Sequence, residues 1–394
     1  MALGRSRRKV LIFIIPELHH GGAERVLFDI VSNLDENVFE INIVAFVKRP
    51  DSPFHFNPSI KLHNLFSKTQ PLKPRNIFKK KILIVNILYR LNKLLRKFPG
   101  DAAVIPFLAR PTACYTVLAQ LFSKRRIIAS LHTTESTYMK FNYQNTFKKA
   151  LEQLMLKIAC RGADNMIAVS AGVTTDLVQN FSIPAENICV IANPLNLKKI
   201  ERLKSEPVEI SDIVGSNRTV FVNIGRLSVE KNHKLLIQAG TILKNSKLDF
   251  VILIAGAGDQ EMNIRRWIQD AGLQDRIIML GPVNNPFALM ARARALILTS
   301  HYDSSPMVLK EAMASGTAVI SVDCPQGPAD ITQNGKYGIL LPPNNPQALA
   351  DAMIAIAKND KVFKKLVREG KKHAVNFDIG TIIPQWEKVF LQAQ

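Results

Sequence analysis

The chain has 394 residues, of which 47% are hydrophobic and 21% are charged, with 19 Gly and 21 Pro. This composition is that of a globular protein of two or three domains, and it excludes a disordered, fibrous or low-complexity chain. The net charge of +20 is concentrated in the first half, where residues 1–197 carry 27 Lys and Arg against 13 Asp and Glu.

The sequence predicts a cytoplasmic protein without a membrane span. No apolar run reaches the roughly 18 residues that a spanning helix needs. Basic residues precede the apolar run 10–15, but Pro16 and Glu17 follow it at once, so this run is predicted to be a buried strand and not a signal peptide. The cysteines are too far apart to indicate a zinc site or a disulfide framework, and they favour a reducing compartment. They are Cys114, Cys160, Cys189 and Cys324.

Short β-branched runs alternate with helix-length amphipathic segments along the whole chain, a pattern that indicates parallel sheets covered by helices. In the first half the predicted strands are 10–15, 41–46, 103–107, 127–131, 166–169 and 189–191. In the second half they are 220–224, 250–255, 277–280, 295–299, 318–322 and 338–341. The prediction is an α/β protein with two Rossmann-like, doubly wound domains facing a cleft.

The domain boundary is predicted after Asn193-Pro194, in the polar stretch 197–217, where Pro207 and the Gly215-Ser216-Asn217 cluster interrupt the periodicity. The predicted parts are a first domain, 1–197, a second domain, 198–380, and a closing C-terminal helix, 381–394, that can pack back on the first domain.

Residues 52–100 contain eleven Lys and Arg and no acidic residue. Within 68–98 these charges are interleaved with apolar residues, which predicts a basic amphipathic helix suited to an anionic membrane surface or a lipid phosphate. The alternative is a packed helix with a solvated basic face. No nucleic-acid motif accompanies the charge, so nucleic acid is not a predicted partner.

Two features of the first half point to a site. Gly21 and Gly22 follow the first predicted strand, where glycines let the backbone approach a ligand closely, although they also suit an ordinary turn. His132 follows the fourth predicted strand, and the end of a parallel strand is where ligands bind in such folds. A single histidine is otherwise more often structural.

Basic side chains follow the first predicted strand of the second half. The strand 220–224 leads into Gly225, Arg226 and Lys231, with Asn232 as the predicted cap of the next helix. Two cations beside one helix start suit a diphosphate, whose leaving charge they would stabilise, although both could be surface charges. The sequence has no Asp-x-Asp, so a divalent metal held by paired aspartates is not expected.

The segment after strand 295–299 carries the sharpest signal. Ser305 is a predicted N-cap and Pro306 a predicted first helical residue, with the helix ending at Gly316. The amides of 305–308 would then form an anion site at the helix start. Asp303 precedes them and Glu311 follows about two turns later, and ionised carboxylates hold sugar and ribose hydroxyls well. Glu311 could instead serve a cap or a salt bridge.

Taken together, these motifs resemble retaining glycosyltransferases of the two-lobed GT-B type, in family 4 or group 1, and in particular polysaccharide- and lipopolysaccharide-building members. The resemblance covers most of the chain. The segments that carry it are 21–25, 130–132, 169–170, 193–194, 225–232, 255–258, 303–313 and 323–331.

The resemblance implies a set of site residues. Arg226 and Lys231 would bind the nucleotide diphosphate, Glu311 the ribose, and Asp303 with neighbouring backbone amides the donor sugar. The implied donor-binding residues are Gly21, Gly22, Gly225, Arg226, Lys231, Asp303, Ser304, Ser305, Pro306, Met307, Val308 and Glu311. The implied catalytic residues are His132, Asp303, Arg226 and Lys231. Asp303 stands where the family usually has Glu, and Ser304-Ser305 stands where it has Gly-Phe.

The resemblance also implies a chemistry. Transfer would retain the anomeric configuration by a front-face route in which the leaving phosphate helps to deprotonate the acceptor, with no metal and no cofactor. The predicted function is transfer of a hexose or N-acetylhexosamine from a nucleotide-diphosphate sugar, with UDP favoured, to a lipid-linked glycan in cell-surface polysaccharide or lipopolysaccharide synthesis. The enzyme would lie peripherally on the inner face of the cytoplasmic membrane.

The same residues leave two alternatives to this function open. A non-catalytic sugar-nucleotide-binding protein on the same scaffold, and a basic protein that binds polyanions or membrane surfaces, are the alternatives. A dehydrogenase is disfavoured because Gly256-Ala-Gly258 is followed by Glu261 where a dinucleotide motif has its third glycine.

Overall fold

The computed structural model describes residues 7–18, 21–48, 52, 54–66, 77–108, 110–121, 125–208 and 218–392. Residues 68–76 of the predicted basic helix, and 209–217 of the predicted linker, lie outside the described residues. The chain divides into two compact units, which are Met1–Pro194 with Ile382–Gln394 (unit 1) and Leu195–Thr381 (unit 2). The unit boundary thus follows Pro194, whereas the sequence analysis placed it after residue 197.

Unit 1 is built on parallel strands. Those described are β1 (Lys9–Leu18), β2 (Phe39–Lys48), β3 (Lys61–Asn64), β4 (Ala103–Pro106), β5 (Ile128–Leu131), β6 (Asn165–Ala168) and β7 (Ile188–Val190). They form a sheet of order β3-β2-β1-β4 and a sheet of order β5-β6-β7. Parallel bridges from Val104 to Ile127 and from Phe107 to Ser130 join the two sheets.

All six predicted strands of the first half are confirmed, but β3 was missed. Its four residues include Lys61, His63 and Asn64, and it pairs with β2 alone at one edge of the sheet. An edge strand needs no long apolar run, because one of its sides has no neighbouring strand. The hydrophobic pattern therefore carried no signal for it.

Helices connect these strands. The helices of unit 1 are α1 (Gly22–Val31), α2 (Ile77–Leu95), α3 (Thr112–Ala119), α4 (Glu135–Asn142), α5 (Thr146–Arg161) and α6 (Ala171–Phe181). The described part of the predicted basic helix is α2, whose Ile87, Leu91 and Leu95 are buried against the sheet. No helix among the described residues is long and apolar enough to cross a membrane.

Unit 2 has one parallel sheet of six strands. They are β8 (Thr219–Ile224), β9 (Phe250–Ala255), β10 (Ile277–Gly281), β11 (Ala295–Leu298), β12 (Ala318–Val322) and β13 (Ile339–Leu341), and all were predicted. Their order is β10-β9-β8-β11-β12-β13. The strand order therefore reverses between β8 and β11, and ligands of open α/β sheets bind at that point.

Helices cover this sheet on both faces. They are α7 (Leu197–Lys204), α8 (His233–Lys244), α9 (Glu261–Asp270), α10 (Pro286–Ala291), α11 (Met307–Ser315), α12 (Pro328–Thr332), α13 (Pro346–Lys358) and α14 (Asp360–Ala374). Alternate residues of a strand enter different cores: Phe221 packs in one cluster and Val222 in another. Both faces of the strand are buried, which explains the continuous apolar runs in the sequence.

The last helix, α15 (Ile379–Leu391), supplies aromatic residues to the core of unit 1. The ring of Phe390 packs edge-on against Phe13 at 5.8 Å and against Phe39 at 6.2 Å between ring centroids. Trp386 is fully buried, and its ring lies 6.4 Å from that of Phe107 in a tilted arrangement. The C-terminal segment is thus part of the unit 1 core.

Candidate active site

The predicted cations and the predicted carboxylate Asp303 meet at the point of unit 2 where the strand order reverses. The loop after β8 carries Arg226 and Lys231, and the loop after β11 carries Asp303. The carbonyl oxygen of Glu230 accepts the amide of His301 at 2.8 Å, and that of Lys231 accepts the Thr299 hydroxyl at 2.9 Å. These bonds fix one loop against the other.

Lys231 and Asp303 form an ion pair across the two loops. The Lys231 Nζ donates to Asp303 Oδ2 at 2.6 Å, and both side chains are mostly, but not fully, buried. Arg226 differs, because its side chain is largely exposed and lies 3.2 Å from the carboxylate of Glu230. The site therefore offers one cation that is already oriented and a second that reaches into solvent.

The helix after Asp303 starts later than the sequence predicted. The N-cap is Pro306, with an extended ψ of 100°, and α11 begins at Met307. The prediction of Ser305 as N-cap and Pro306 as first helical residue was therefore wrong by one residue, while the end at Gly316, with φ at 85°, was correct. Pro306 has no N–H, so its predicted contact cannot be an amide hydrogen bond.

The donors at this helix start are the amides of Met307 and Val308, because the amide of Leu309 already bonds to the Pro306 carbonyl at 3.2 Å. The first amides of a helix lack intrahelical acceptors and carry the positive end of its dipole. Glu311 lies four residues after Met307 and therefore on the same side of the helix. Asp303, these amides and Glu311 thus follow one another along a single short segment.

Two glycines let the loops approach each other, which the sequence analysis did not foresee. A Cβ on Gly256 would lie 1.8 Å from the carbonyl oxygen of Gly225, and one on Gly327 would lie 1.9 Å from that of Asp303. No side chain fits at either place. Gly256 therefore supports the loop that carries Arg226, and Gly327 supports the backbone of Asp303.

Lys310 was also missed. Its side chain is fully buried on α11, with the Nζ 5.0 Å from the centre of the Phe377 ring. Burial lowers the pKa of Lys310 to about 7, against the opposing effect of the Glu311 and Asp303 carboxylates. A lysine next to Leu309, on the side of α11 that also buries Met313, was the signal in the sequence.

In unit 1, Gly21 and Gly22 lie at the start of α1, directly after β1. A Cβ on Gly22 would meet no described atom within 4 Å, whereas a Cβ on Gly21 would lie 2.0 Å from a carboxylate oxygen of Glu24. His132 follows β5, where its Nε2 lies 2.8 Å from the Ser130 hydroxyl and its ring lies 4.3 Å from the Phe107 ring. The imidazole is thus held by a hydrogen bond and by an aromatic neighbour.

A buried ionic network in unit 1 was not predicted. The Arg110 guanidinium donates to Glu135 at 2.5 Å and to Glu152 at 2.9 Å, and it lies 5.1 Å from the Tyr138 ring centre. Burial raises the pKa of Glu135 to about 7, although Arg110 opposes this shift. Glu135 is the first residue of α4, three residues after His132, so the network anchors the end of the His132 loop.

A second carboxylate holds the same helix start. Asp176, on α6 and fully buried, accepts the amide of Ser136 at 3.1 Å and also its hydroxyl. These contacts could hardly be predicted from the sequence, because Arg110, Glu135 and Asp176 lie far apart in it. Among the described residues, no three His, Cys, Asp or Glu side chains cluster in a way that could hold a metal ion.

Comparison with known proteins identifies relatives over nearly the whole chain. The family model described as "Glycosyltransferase Family 4" matches residues 20–199, and the model described as "Glycosyl transferases group 1" matches residues 209–373. The chain is 27% identical to the N-acetylgalactosamine-N,N'-diacetylbacillosaminyl-diphospho-undecaprenol 4-alpha-N-acetylgalactosaminyltransferase of Campylobacter jejuni, over 94% of this chain and 96% of that protein.

Two further relatives extend the comparison. The chain is 26% identical to the lipopolysaccharide 1,6-galactosyltransferase of Escherichia coli, over 82% of each protein. Among solved structures, Anabaena HepE in complex with UDP-glucose superimposes with a TM-score of 0.76 at 19% identity, over 96% of this chain and 98% of that one. This structural likeness shows a shared fold.

Proposed function

Because the chain belongs to the family 4, group 1 glycosyltransferases and has their GT-B fold, we propose that it transfers a hexose or N-acetylhexosamine from a UDP-sugar to a lipid-linked glycan. The product would belong to a cell-surface polysaccharide or lipopolysaccharide. The observation that carries the proposal is the Lys231–Asp303 pair, which lies where the strand order reverses and directly precedes the open amides of Met307 and Val308.

Unit 2 would bind the donor. Lys231 and Arg226 take the diphosphate, since a negatively charged leaving group is best stabilised by cations that are already in place. Glu311 accepts hydrogen bonds from the ribose hydroxyls. Asp303 and the amides of Met307 and Val308 hold the sugar, while Gly225 leaves room beside Lys231 and Ser304, Ser305 and Pro306 shape the loop.

The relatives support the donor and acceptor classes. Anabaena HepE, which has a similar fold, was solved with UDP-glucose. The Campylobacter jejuni relative carries a name that specifies an undecaprenol-diphosphate-linked glycan as the molecule it extends. These two facts favour a UDP-sugar over other nucleotide sugars and a lipid-linked acceptor over a soluble one.

The reaction would keep the configuration at the anomeric carbon. The bond from this carbon to the diphosphate oxygen breaks, and a bond to the acceptor oxygen forms on the same face. The acceptor proton passes to the departing phosphate oxygen, so no separate protein base is needed. Lys231 and Arg226 stabilise the developing phosphate charge in place of a metal ion, and no cofactor takes part.

Unit 1 would serve the acceptor side of the reaction, with His132 contributing to the transfer step and the backbone of Gly21 and Gly22 approaching the substrates closely at the start of α1. Its excess of basic residues would hold the enzyme peripherally on the anionic inner face of the cytoplasmic membrane. The basic helix α2, with Ile82, Val85 and Tyr89 exposed, is one contact that suits such a surface.

A panel of UDP-, GDP- and ADP-sugars tests this proposal on the purified full chain. Donor binding is measured by calorimetry, and turnover by nucleotide release with and without a lipid-linked acceptor. We expect UDP-sugars to bind, and Asp303→Ala, Arg226→Ala and Glu311→Ala to weaken binding or turnover. Lys234→Ala, which removes an exposed lysine from the first turn of α8, is the matched control.

Several outcomes would overturn the proposal. If the three site variants bind and turn over donors like the wild type, the assigned site is wrong. Donor binding without hydrolysis or transfer would favour a non-catalytic sugar-nucleotide-binding protein. Indifference to all nucleotide sugars, together with salt-sensitive binding of polyanions, would favour a polyanion-binding protein. Inversion in the product, or loss of turnover in EDTA, would refute the retaining, metal-free mechanism.

A further inference from the structure

Helix α5 has apolar side chains on two opposite sides. On one side Leu156, Ala159 and Cys160 are buried in unit 1. Phe147, Leu151 and Leu154 follow the i, i+4, i+7 spacing of a single helix face and are exposed. At 100° per residue this exposed face lies roughly opposite the buried one. A helix that is apolar on both sides normally has a second partner.

Among the described helices, only α2 carries an exposed apolar row comparable with that of α5. The Phe147 ring is 80% exposed, and Phe141 at the end of α4 adds a further exposed aromatic ring beside the start of α5 in the sequence. The exposed large apolar side chains of unit 2 do not form such a row. They are Val229, Met262, Val362 and Val375, each on a different element.

Basic residues flank the row on α5. Lys148 and Lys157 lie about 90° to either side of its centre, at angles set by the helical repeat. Lys140 and Arg161 lie beyond its two ends in the sequence. Glu152 is the only acidic residue of α5, and it is bonded to the buried Arg110. The face therefore presents apolar side chains with an excess of positive charge around them.

The partner that fits this chemistry is an anionic lipid surface. Aromatic and leucine side chains enter the boundary between headgroups and acyl chains, while the ammonium groups of long lysines reach lipid phosphates. Helix α2 carries a second row of the same kind, Ile82, Val85 and Tyr89, with Arg90 and Lys93 in the same helix.

The two rows belong to helices that both pack on α3. Leu91 of α2 packs in one cluster with Ala119 of α3, and Ala113 of α3 packs in another with Ala159 of α5. Helix α3 therefore contacts both α2 and α5. A fluid bilayer can accept two separate apolar rows at once, whereas a folded protein partner would need two grooves with matching acidic rims.

We propose that α5 is a second membrane-docking helix, which inserts Phe147, Leu151 and Leu154 into an anionic bilayer surface while Lys148 and Lys157 bind its headgroups. This inference deepens the membrane contact of the proposed function and adds a face that the sequence analysis did not identify. The contact then rests on two helices of unit 1.

Co-sedimentation of the full chain with vesicles of phosphatidylglycerol and phosphatidylethanolamine tests the inference. We expect Phe147→Ser/Leu151→Ser to lower the vesicle partition coefficient about tenfold or more, since each side chain contributes apolar area on insertion. Met262→Ser is the matched control, because Met262 is 79% exposed but lies in unit 2. Phosphatidylcholine vesicles should bind the wild type weakly.

A spectroscopic measurement reports insertion directly. A tryptophan introduced as Phe147→Trp should shift its emission to the blue with anionic vesicles and be quenched by lipids brominated on the acyl chain. Met262→Trp should show neither change. Lys148→Gln/Lys157→Gln should weaken binding and flatten its salt dependence.

The inference is wrong if the double serine variant partitions like the wild type, or if the introduced tryptophan stays accessible to aqueous quenchers on vesicles. It is also wrong if sedimentation shows that the variant only converts a dimer to a monomer, which would identify a second copy as the occupant. Donor hydrolysis without vesicles separates the two proposals. A chain that binds vesicles without donor turnover refutes the function alone, and one that turns over donor without α5-dependent binding refutes this inference alone.

Discussion

The two units of this protein hold their charged side chains in different ways. In unit 1, Arg110 is almost completely buried and bonded to both Glu135 and Glu152. In unit 2, Lys231 has one carboxylate partner, Asp303, and both groups remain partly open to solvent. The Arg226 side chain is more exposed to solvent than that of Lys231. The burial of these cations therefore decreases from Arg110 through Lys231 to Arg226.

The difference separates structural charges from charges that can exchange partners. A buried ion pair is costly to break, because the remaining partner is left desolvated. A partly exposed pair loses little when a substrate phosphate replaces the carboxylate. Under the proposed function, Lys231 would pass from Asp303 to a diphosphate, whereas Arg110 would only stabilise the fold. Lys310 tests this division between structural and exchangeable charges, because its side chain is fully buried although it belongs to unit 2.

The largest expected effect is on Lys310. Its pKa falls from 10.5 to about 7 on folding, so the unfolded chain binds more protons between these values and stability rises with pH there. The stability of the Lys310→Met variant lacks this contribution, because methionine does not titrate. We expect the stability of the wild type relative to Lys310→Met to increase by about 4 to 5 kcal/mol from pH 7 to pH 10.5.

Urea unfolding of both proteins across this range measures the difference, in which the other titrating groups cancel. Lys358→Met, at the end of α13, is the control, and its difference from the wild type should stay flat. A flat curve for Lys310→Met as well would mean that Lys310 stays charged in the folded protein.

Next in size is the Arg110 network. Arg110→Met should destabilise unit 1 by about 3 to 5 kcal/mol, because it leaves Glu135 buried without its cation. The loss should be greater at pH 8 than at pH 6, since a protonated Glu135 needs no counter-charge and its pKa is about 7. Hydrogen exchange of peptides from α4 and α5 measures this loss of stability in the two helices themselves.

Arg161→Met, at the exposed end of α5, provides the comparison for Arg110→Met. Adding Glu135→Gln to Arg110→Met should recover part of the loss, because the buried charge is then absent. If Arg110→Met changes donor turnover while exchange in α4 and α5 stays unchanged, the network is functional and the division between the units fails.

A smaller effect, and one on activity, is expected at Lys231. Lys231→Ala should lower kcat/KM for a UDP-sugar about a hundredfold, since one positioned donor to the leaving phosphate is lost. The thermal midpoint should fall less than for Arg110→Met, because Asp303 is more exposed than Glu135 and is less strongly desolvated when its cation is removed. Lys234→Ala again controls for the loss of a lysine. Unfolding of Lys231→Ala at the assay temperature would contradict the exchangeable role.

The smallest effect is expected at Arg226. Its side chain is exposed and its one described ion pair, with Glu230, is screened by solvent. Arg226→Ala should raise the KM for the donor about tenfold at low salt and less at high salt. A steady-state series at rising ionic strength measures this trend. A loss of kcat that does not depend on salt would place Arg226 with the buried charges instead.

Much of the fold and the donor-side candidate site could be predicted from the sequence. The central strands of both units are buried on two faces and therefore appear as apolar runs, such as β9 and β11. The resemblance assigned Lys231 and Asp303 to one donor site, but their ion pair and the pairing of β8 with β11 were seen only in the structure. The edge strand β3 had no comparable pattern and was missed.

Other features were fixed only by the tertiary structure. The approach of Gly327 to the Asp303 backbone, the contact of Arg110 with Glu135, and the exposure of Phe147 all depend on segments that are distant in sequence. The start of α11 at Met307 depended on local backbone geometry that the capping rule for Ser305 did not capture.

The amino-acid sequence by itself determined every described strand except β3, the helix end at Gly316, and the residue types at the ends of β8 and β11. These follow from periodicity and from short-range steric rules, which act between residues close along the chain. The tertiary structure alone decided which charges are buried, which cation stays partly exposed and which apolar face of α5 remains in solvent. Burial depends on all the elements that pack around a side chain, and a linear pattern does not contain that information.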